Sequence, residues 1–184
     1  MADQGELMDE FVGAEVEEYE DLDDLEDATK ADIDFTAALY REDGQPIAVA
    51  LLLDTANDLD ELIEQLRRLP GDSGALGVVS IAGEFFVLCR VRGRTVQVLL
   101  SDSTSSLDWP LARDVAEYLS LDTPDEEDDS EVWGDLDLLS DWGISDFDLE
   151  NIAGNDDDSA ILARQIVEKL RFAAQFDRAV ANFR

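Results

Sequence analysis

The sequence predicts an α+β fold, in which helices interrupt an antiparallel sheet. Three observations carry this prediction. Short apolar segments alternate with turn residues, two other segments have helical spacing, and together they give the element order ββαβββα over residues 34–121.

The first strand pair comes before the first predicted helix. Phe35–Tyr40 is predicted as a strand, Glu42–Gln45 as its turn, and Ile47–Leu53 as the returning strand. Within Leu59–Leu69 the apolar residues then recur at helical spacing, and Pro70-Gly71 ends that helix.

Three more strands and a second helix complete the predicted domain. The strands are Val78–Ile81, Phe85–Val91 and Thr95–Leu100, and the helix begins near Asp108 and ends near Leu119. Longin-like and roadblock-like domains share this element order. That analogy concerns the fold alone, because such folds serve many functions.

The arginines of the fourth strand are predicted to face away from the core. Phe85, Val87, Cys89 and Val91 share one face of that strand, so Arg90 and Arg92 belong to the other. Together with Arg94 they form the basic cluster of this domain. We expect a solvated sheet face paired with nearby acids rather than a ligand contact.

Beyond the core domain the sequence predicts an acidic linker, residues 122–131, and a helical C-terminal segment, residues 132–184. Val132–Leu139 and Ser145–Ile152 are predicted as short helices. A longer helix is predicted to begin at Asn155 or Asp156 and to reach Leu170. Helical spacing continues to Phe183, and one long helix and a helical hairpin both fit this pattern.

The charge of the chain is strongly negative and unevenly distributed. The net charge is −33, with 14 carboxylates in residues 1–33 and 16 in residues 122–158, where there is no Lys or Arg. Residues 1–33 are therefore predicted to form a disordered acidic arm. Such a field repels nucleic-acid phosphates and anionic membranes, so we expect a basic protein partner, no direct nucleic-acid binding and no membrane binding.

Several kinds of catalytic and metal site are excluded by composition. The chain has no His, which excludes Ser-His-Asp and Cys-His catalysis and imidazole metal sites. Cys89 stands alone in an apolar strand and is interpreted as a core residue. The glycines do not form a phosphate-binding loop. We predict no catalytic residue, no cofactor and no specific metal site.

The expected location of the protein is the cytoplasm. No apolar run reaches the length of about 18–20 residues that a membrane span needs. The N-terminus lacks the pattern of a signal peptide, and a single cysteine fits a reducing compartment.

Two tryptophans lie among acids and suggest a docking segment. Aromatic anchors within an acidic surface suit a basic partner. The alternative is that the rings of Trp133 and Trp142 fold back onto the domain. The third tryptophan, Trp109, lies beside Pro110 and is predicted to pack a helix start onto the sheet. The predicted partner-binding residues are Trp133, Trp142, Asp125, Glu126, Glu127, Asp128 and Asp129.

Several segments in a fixed order resemble a known family. They are Ala38–Gly44, Asp58–Leu62, Phe85–Arg92, Val98–Asp102 and, after the acidic linker, Gly134–Gly143. This set resembles the small actinobacterial tRNA adenosine deaminase-associated proteins over roughly residues 34–184. The resemblance implies association with the deaminase and supplies no catalytic or binding residues.

The first functional hypothesis is a non-catalytic acidic binding or adaptor protein, associated with the tRNA adenosine deaminase or another basic protein. A zinc deaminase needs His or Cys ligands, and this chain has no His and one Cys. Two alternatives stay open. One is a nucleic-acid mimic that occupies a basic groove, and the other is a carboxylate- or metal-dependent enzyme.

Overall fold

One antiparallel sheet of six strands organises the protein, which is described over residues 25–183 by a computed structural model. The strand order is β2-β1-β3-β4-β5-β6. The strands are β1 (Ile33–Glu42), β2 (Gln45–Ala50), β3 (Ala75–Ile81), β4 (Phe85–Arg92), β5 (Thr95–Leu100) and β6 (Trp133–Gly134).

Within residues 25–183, five α-helices accompany the sheet: α1 (Leu59–Arg67), α2 (Pro110–Tyr118), α3 (Asp146–Ala153), α4 (Ser159–Lys169) and α5 (Ala173–Ala179). Short 3₁₀ helices cover Leu53–Ala56, Ser103–Leu107, Ser140–Trp142 and Ala181–Phe183. The predicted α+β class and the element order ββαβββα are confirmed by β1 to β5 with α1 and α2.

Local sequence signals fix several element boundaries. The β1–β2 hairpin turns through Asp43 and Gly44, whose φ angles of 53° and 78° fit a two-residue primed turn. The Asp58 carboxylate accepts a hydrogen bond from the Glu61 backbone N–H and so caps α1. Pro110 occupies the first turn of α2, where its missing N–H costs nothing.

Both faces of the sheet are covered, and each carries its own apolar core. One core joins the sheet to α1 and α2, and the other joins it to α3, α4 and α5. Phe85, Val87, Cys89 and Val91 of β4 belong to the first core, as the alternation predicted, whereas Phe86 and Leu88 belong to the second. The second face is therefore not the solvated surface that the sequence predicted.

The C-terminal region differs from the predicted helices in one place and decides between two open alternatives in another. Residues 132–139 are not a helix, because Trp133 pairs with Leu100, and Gly134 with Leu99, at the sheet edge. Gly134 has a φ of 123°, and a Cβ there would lie 2.2 Å from the Val98 carbonyl oxygen. Farther on, α4 and α5 are separate helices rather than one, because Arg171 takes a φ of 69° between them.

The predicted acidic arm, residues 1–33, lies mostly outside the described residues. Within its described part, the buried Ala28 donates its N–H to Asn57 Oδ1 at 2.7 Å and accepts from Asn57 Nδ2 at 3.0 Å. Across residues 25–183, no helix is both long and apolar enough to cross a bilayer.

The two ends of the sheet carry different charges. At the end where β1 and β4 begin lie Asp34, Glu84 and Asp102, and we call it the acidic end. At the opposite end β1 and β4 finish, and we call it the basic end. Its basic residues are Arg41, Arg67, Arg68, Arg90, Arg92 and Arg94, and the acids Glu42, Asp43, Asp72 and Asp141 lie at the same end.

Candidate functional site

The β3–β4 turn forms one wall of a site at the acidic end. Asp34 Oδ2 accepts hydrogen bonds from the Gly83 N–H at 2.9 Å and from Ser80 Oγ at 2.8 Å. The Gly83 carbonyl in turn accepts from the Ser159 N–H at 3.1 Å. The turn is thus held between the start of β1 and the start of α4.

The end of the acidic loop forms a second wall. The Glu131 carbonyl accepts from the Ser103 N–H at 2.8 Å, and the Glu131 N–H donates to Ser103 Oγ at 2.9 Å. Ser130 Oγ donates to Asp102 Oδ1 at 2.7 Å. These bonds hold the end of the acidic loop against the segment that follows β5.

These walls enclose a concavity of about 230 Å³, which α3, α4 and their connection complete. We call it the acidic concavity, and its carboxylates are Glu84, Asp102, Glu131, Asp156 and Asp157. No Lys or Arg of the described chain lines it. Partial burial, and then the charges of Asp108 and Asp102, raise the pKa of Glu84 above its ordinary value. The charges of Asp108 and Asp102 thus add to the effect of burial in opposing the ionisation of Glu84.

The arrangement suits cationic side chains of a partner. Carboxylate oxygens accept charge-assisted hydrogen bonds from ammonium and guanidinium groups, and a concave wall excludes part of the water. Within residues 25–183, no group of three or more His, Cys, Asp or Glu side chains is placed to hold a metal ion.

The predicted acidic run lies beside this concavity. Asp125, Glu126, Glu127, Asp128 and Asp129 are all exposed. Asp125 and Asp128 make a local turn, with the Asp128 N–H donating to the Asp125 carbonyl at 3.0 Å. Trp133 is half-buried against the first core, and its Nε1 donates to Glu131 Oε2 at 3.3 Å. The structure thus brings Trp133 and the acidic run to the same end of the molecule.

Trp142 lies at the basic end instead. Its Nε1 donates to Ser73 Oγ at 2.9 Å, and its ring stacks on Phe172 at a centroid distance of 5.8 Å. The guanidinium carbon of Arg90 lies 3.9 Å from the ring centroid, and that of Arg41 lies 4.9 Å away. Cation–π contacts therefore flank the indole.

Arg90 is fully buried, so the expectation of a solvated arginine was wrong for this residue. Its Nη1 and Nη2 each donate to one carboxylate oxygen of Asp141 at 2.9 Å. They also donate to the carbonyls of Leu138 and Ser73. Among the described residues, Arg90 Nε alone is a buried side-chain nitrogen or oxygen without a partner.

Arg92 and Arg94 are more exposed than Arg90 and so lie closer to the predicted solvated surface. Arg92 is partly exposed and lies 3.3 Å from Asp141, and Arg94 is exposed in the β4–β5 turn. Partial burial opposes ionisation of Asp141, but the hydrogen bonds and charge of Arg90, helped by Arg92, hold the pKa of Asp141 below its usual value. Arg90 and Arg92 thus connect β4 to the 3₁₀ helix Ser140–Trp142 through Asp141.

Two other predictions are confirmed on the first face. Cys89 is buried, and burial raises the pKa of its thiol to about 12, so the thiolate nucleophile is scarce at neutral pH. Trp109 packs near Phe85, with ring centroids 6.3 Å apart.

Sequence reasoning missed the members of the acidic concavity outside the acidic run. Glu84 lies between two predicted strands, and Asp156 and Asp157 belong to the strongly acidic residues 122–158. No local signal showed that these segments meet, because their proximity depends on where α3 and α4 pack against the sheet.

Comparison with known proteins places the chain among proteins named for a tRNA-modifying enzyme. The pattern of the Rv3753c-like tRNA adenosine deaminase-associated protein family matches residues 34–173. Protein Rv3753c of Mycobacterium tuberculosis (strain ATCC 25618 / H37Rv) is 31% identical over 113 residues, which are 60% of this chain and 65% of that protein. No solved structure matches the chain. The chain belongs to the Rv3753c-like tRNA adenosine deaminase-associated protein family.

Proposed function

From this family membership and the acidic concavity, we propose that the protein is a non-catalytic binding protein for a basic partner, and that the partner is the tRNA adenosine deaminase. The family description names an association with the deaminase and does not name an activity. The observation that carries the proposal is the concavity itself, where five acidic residues line a space that no Lys or Arg of the described chain lines.

The acidic run extends the proposed site toward solvent. Its five carboxylates are exposed, so they attract a basic surface before contact, over about 10 Å at 0.1 M salt. Trp133 supplies an aromatic surface beside them. A half-buried indole that presents its remaining area to a partner slows dissociation more than rim charges do.

The non-catalytic part of the proposal rests on the side chains that the sequence lacks. Zinc deaminases hold their metal with His and Cys and use a nearby Glu, whereas this chain has no His and one Cys, which is buried. We expect the purified protein, with or without zinc, to leave adenosine in tRNA unchanged. Zinc-dependent formation of inosine, free of contaminating deaminase, would overturn this part.

We further propose that the protein acts in the cytoplasm, where tRNA is modified. The free, buried Cys89 is compatible with a reducing compartment. Fractionation of the native host, with the deaminase as a marker, tests this location.

The decisive experiment measures binding kinetics between the full chain and the tRNA adenosine deaminase of the same organism at low and high salt. The triple variant Glu84→Gln, Asp156→Asn and Asp157→Asn neutralises the acidic concavity. The matched control is Glu42→Gln, Asp60→Asn and Glu117→Gln, which removes the same charge from exposed positions outside it.

The concavity variant is expected to bind about tenfold more weakly or worse, and the control to bind nearly as wild type. Trp133→Ala should speed dissociation with little effect on association. If both triple variants weaken binding equally, the acidic residues act only through the general negative field of the chain and the concavity is not a specific site. Absence of binding by the wild-type chain at low salt would remove the deaminase as the partner.

The nucleic-acid mimic makes a different prediction in the same system. A mimic occupies the groove in which tRNA binds, so it competes with tRNA for the deaminase. Formation of a ternary complex with tRNA supports an adaptor, and strict competition supports the mimic.

A further inference from the structure

Strand β2 forms an open and uncharged edge of the sheet. It pairs with β1 on one side, and it is the terminal strand of the sheet on the other. The sequence from Gln45 to Leu53 contains no charged residue. Ala50 and Leu52 are exposed, Leu52 at 64%, whereas Pro46 to Val49 are partly exposed and Leu51 is buried. An uncharged apolar segment is thus partly exposed on a chain of net charge −33.

The register shows which backbone groups of this edge are free. The Leu51 N–H donates to the Thr36 carbonyl at 2.9 Å, so Ile47, Val49 and Leu51 direct their peptide groups toward β1. The intervening Ala48 and Ala50 direct theirs away from the sheet. Within residues 25–183, neither alanine N–H donates outward to another protein group.

Within the part of the chain that the structure describes, residues 25–183, few of the usual protections of an edge strand are present at β2. Natural edges carry lysines, inward-pointing charges or bulges, or are covered by another element. Here Pro46 removes one outward N–H near the start of the strand, and the nearest charged residues, Asp43 and Asp54, lie beyond the apolar segment. Helix α5 contacts β2 from one face of the sheet, and β2 is still the terminal strand.

We propose that β2 pairs antiparallel with β2 of a second copy of this chain, so that two sheets become one continuous sheet across a two-fold axis. With the axis beside Ala48, each Ala48 exchanges both backbone hydrogen bonds with its counterpart. The Ala50 N–H of each copy donates to the Pro46 carbonyl of the other. The missing Pro46 N–H costs no bond inside the native hairpin, because that position faces outward.

Charge favours a second copy over a basic partner strand at this edge. A basic strand would meet no carboxylate from Gln45 to Leu53, whereas a second copy of the edge is equally uncharged. This interface is separate from the acidic concavity and does not depend on the proposed deaminase binding.

Net charge sets the sign of the salt effect. Two chains of net charge −33 repel each other, and salt screens this repulsion. Self-association through an uncharged edge therefore strengthens as salt rises, in contrast to the binding of a basic partner.

Analytical ultracentrifugation of the full chain, up to about 100 µM protein and at low and high salt, tests the proposal. Ala50→Pro removes an outward N–H, and Ala50→Ser is its control. Leu52→Asp places a carboxylate beside Asp43 of the other copy, because residue 52 lies opposite residue 44 in this register. Its control is Phe147→Asp, at a side chain that is 70% exposed and lies on α3. Circular dichroism checks that each variant is folded.

We expect the wild type to dimerise, and more strongly at high salt. Ala50→Pro and Leu52→Asp should each weaken the dimer about tenfold or more, as the loss of a symmetric pair of hydrogen bonds or the approach of like charges predicts. The two controls should dimerise as wild type does. Hydrogen exchange at the Ala48 and Ala50 amides should slow as the protein concentration rises.

Three results would overturn the proposal. They are a monomer at every concentration and salt, a dimer that the edge variants leave unchanged, and an association that weakens as salt is added. The last would indicate contact between the acidic end of one copy and the basic end of another.

Discussion

The two ends of the sheet use charge in opposite ways. At the basic end, Arg90 is buried and forked onto Asp141, and Trp142 covers the guanidinium. At the acidic end, Glu84, Asp156 and Asp157 surround open space without a cation at the lining. Buried charges must be paired to be stable, whereas exposed like charges are tolerated at a small cost. The buried Arg90 at the basic end therefore stabilises the fold, whereas the carboxylates at the acidic end are accessible to a partner.

The largest expected effect is at the basic end. Asp141→Ala leaves the Arg90 guanidinium buried with carbonyl partners alone and should lower the free energy of unfolding by about 3 kcal/mol. Urea denaturation measures it, with the exposed Asp122→Ala as the control. Equal stability of the two variants would show that Arg90 does not depend on its carboxylate.

The pH dependence of this variant sharpens the test. The pKa of Asp141 is lowered in the folded state, so its stabilisation is present above the unfolded pKa, about 3.9, and is lost as the pH falls through the folded value. The difference between wild type and Asp141→Ala should therefore shrink in acid.

Trp142→Ala should have the next largest effect. The ring is half-buried against the second core and contacts Arg90, Arg41 and Phe172, so its loss should cost about 2 kcal/mol. Trp142→Phe should recover part of this loss. Chemical denaturation gives the comparison, and a faster dissociation of the deaminase with unchanged stability would instead identify Trp142 as a docking residue.

How much of this structure the sequence predicts depends on how far apart in sequence the interacting residues lie. The alternation in β4 placed Phe85 and Cys89 on a core face correctly, because a strand's side chains alternate whatever lies around it. The same alternation could not show that Arg90 is buried, because its carboxylate, Asp141, is 51 positions away in sequence. A charged residue within an apolar strand looks solvated until its partner is known.

The candidate site follows the same rule. The acidic run was visible because its five residues are consecutive, and it lies exposed in the structure. The concavity was not visible, since the turn at Glu84 and the loop at Asp156 meet only when α4 packs on the sheet. Trp133 and Trp142 looked equivalent by composition, and the pairing of residues 133–134 with β5 separates them.

Removal of the N-terminal acidic residues should have a moderate effect on the acidic end. A chain that begins at residue 25 retains the Ala28–Asn57 hydrogen bonds and should unfold as the full chain does. One that begins at Ala31 loses them and should be less stable by about 1 kcal/mol. Thermal and urea unfolding of the two truncated chains provide the measurement. A loss of several kcal/mol on removing residues 1–24 would show that the arm contributes to the fold.

Neutralising one carboxylate of the concavity should change stability by less, and in the opposite direction. Burial and neighbouring acids raise the pKa of Glu84, so its charged form destabilises the folded state as the pH rises through that value. After solvent screening, Glu84→Gln should gain a few tenths of a kcal/mol at pH 7 and nothing at pH 3. Unfolding curves at the two pH values measure the gain, and a loss at pH 7 would mean that the Glu84 carboxylate supports the turn.

The smallest effect on stability is expected from the acidic run itself. Its five carboxylates are exposed, and they repel one another. Replacing Asp125, Glu126, Glu127, Asp128 and Asp129 by their amides should therefore leave the free energy of unfolding within about 0.5 kcal/mol of wild type. It should also reduce the salt dependence of stability, because fewer like charges remain to be screened. Urea denaturation at low and high salt tests both expectations. The comparison variant is Asp141→Asn, which removes a charge at the basic end. A loss above about 1 kcal/mol would place the run among the groups that hold the fold, and the contrast between the two ends would fail.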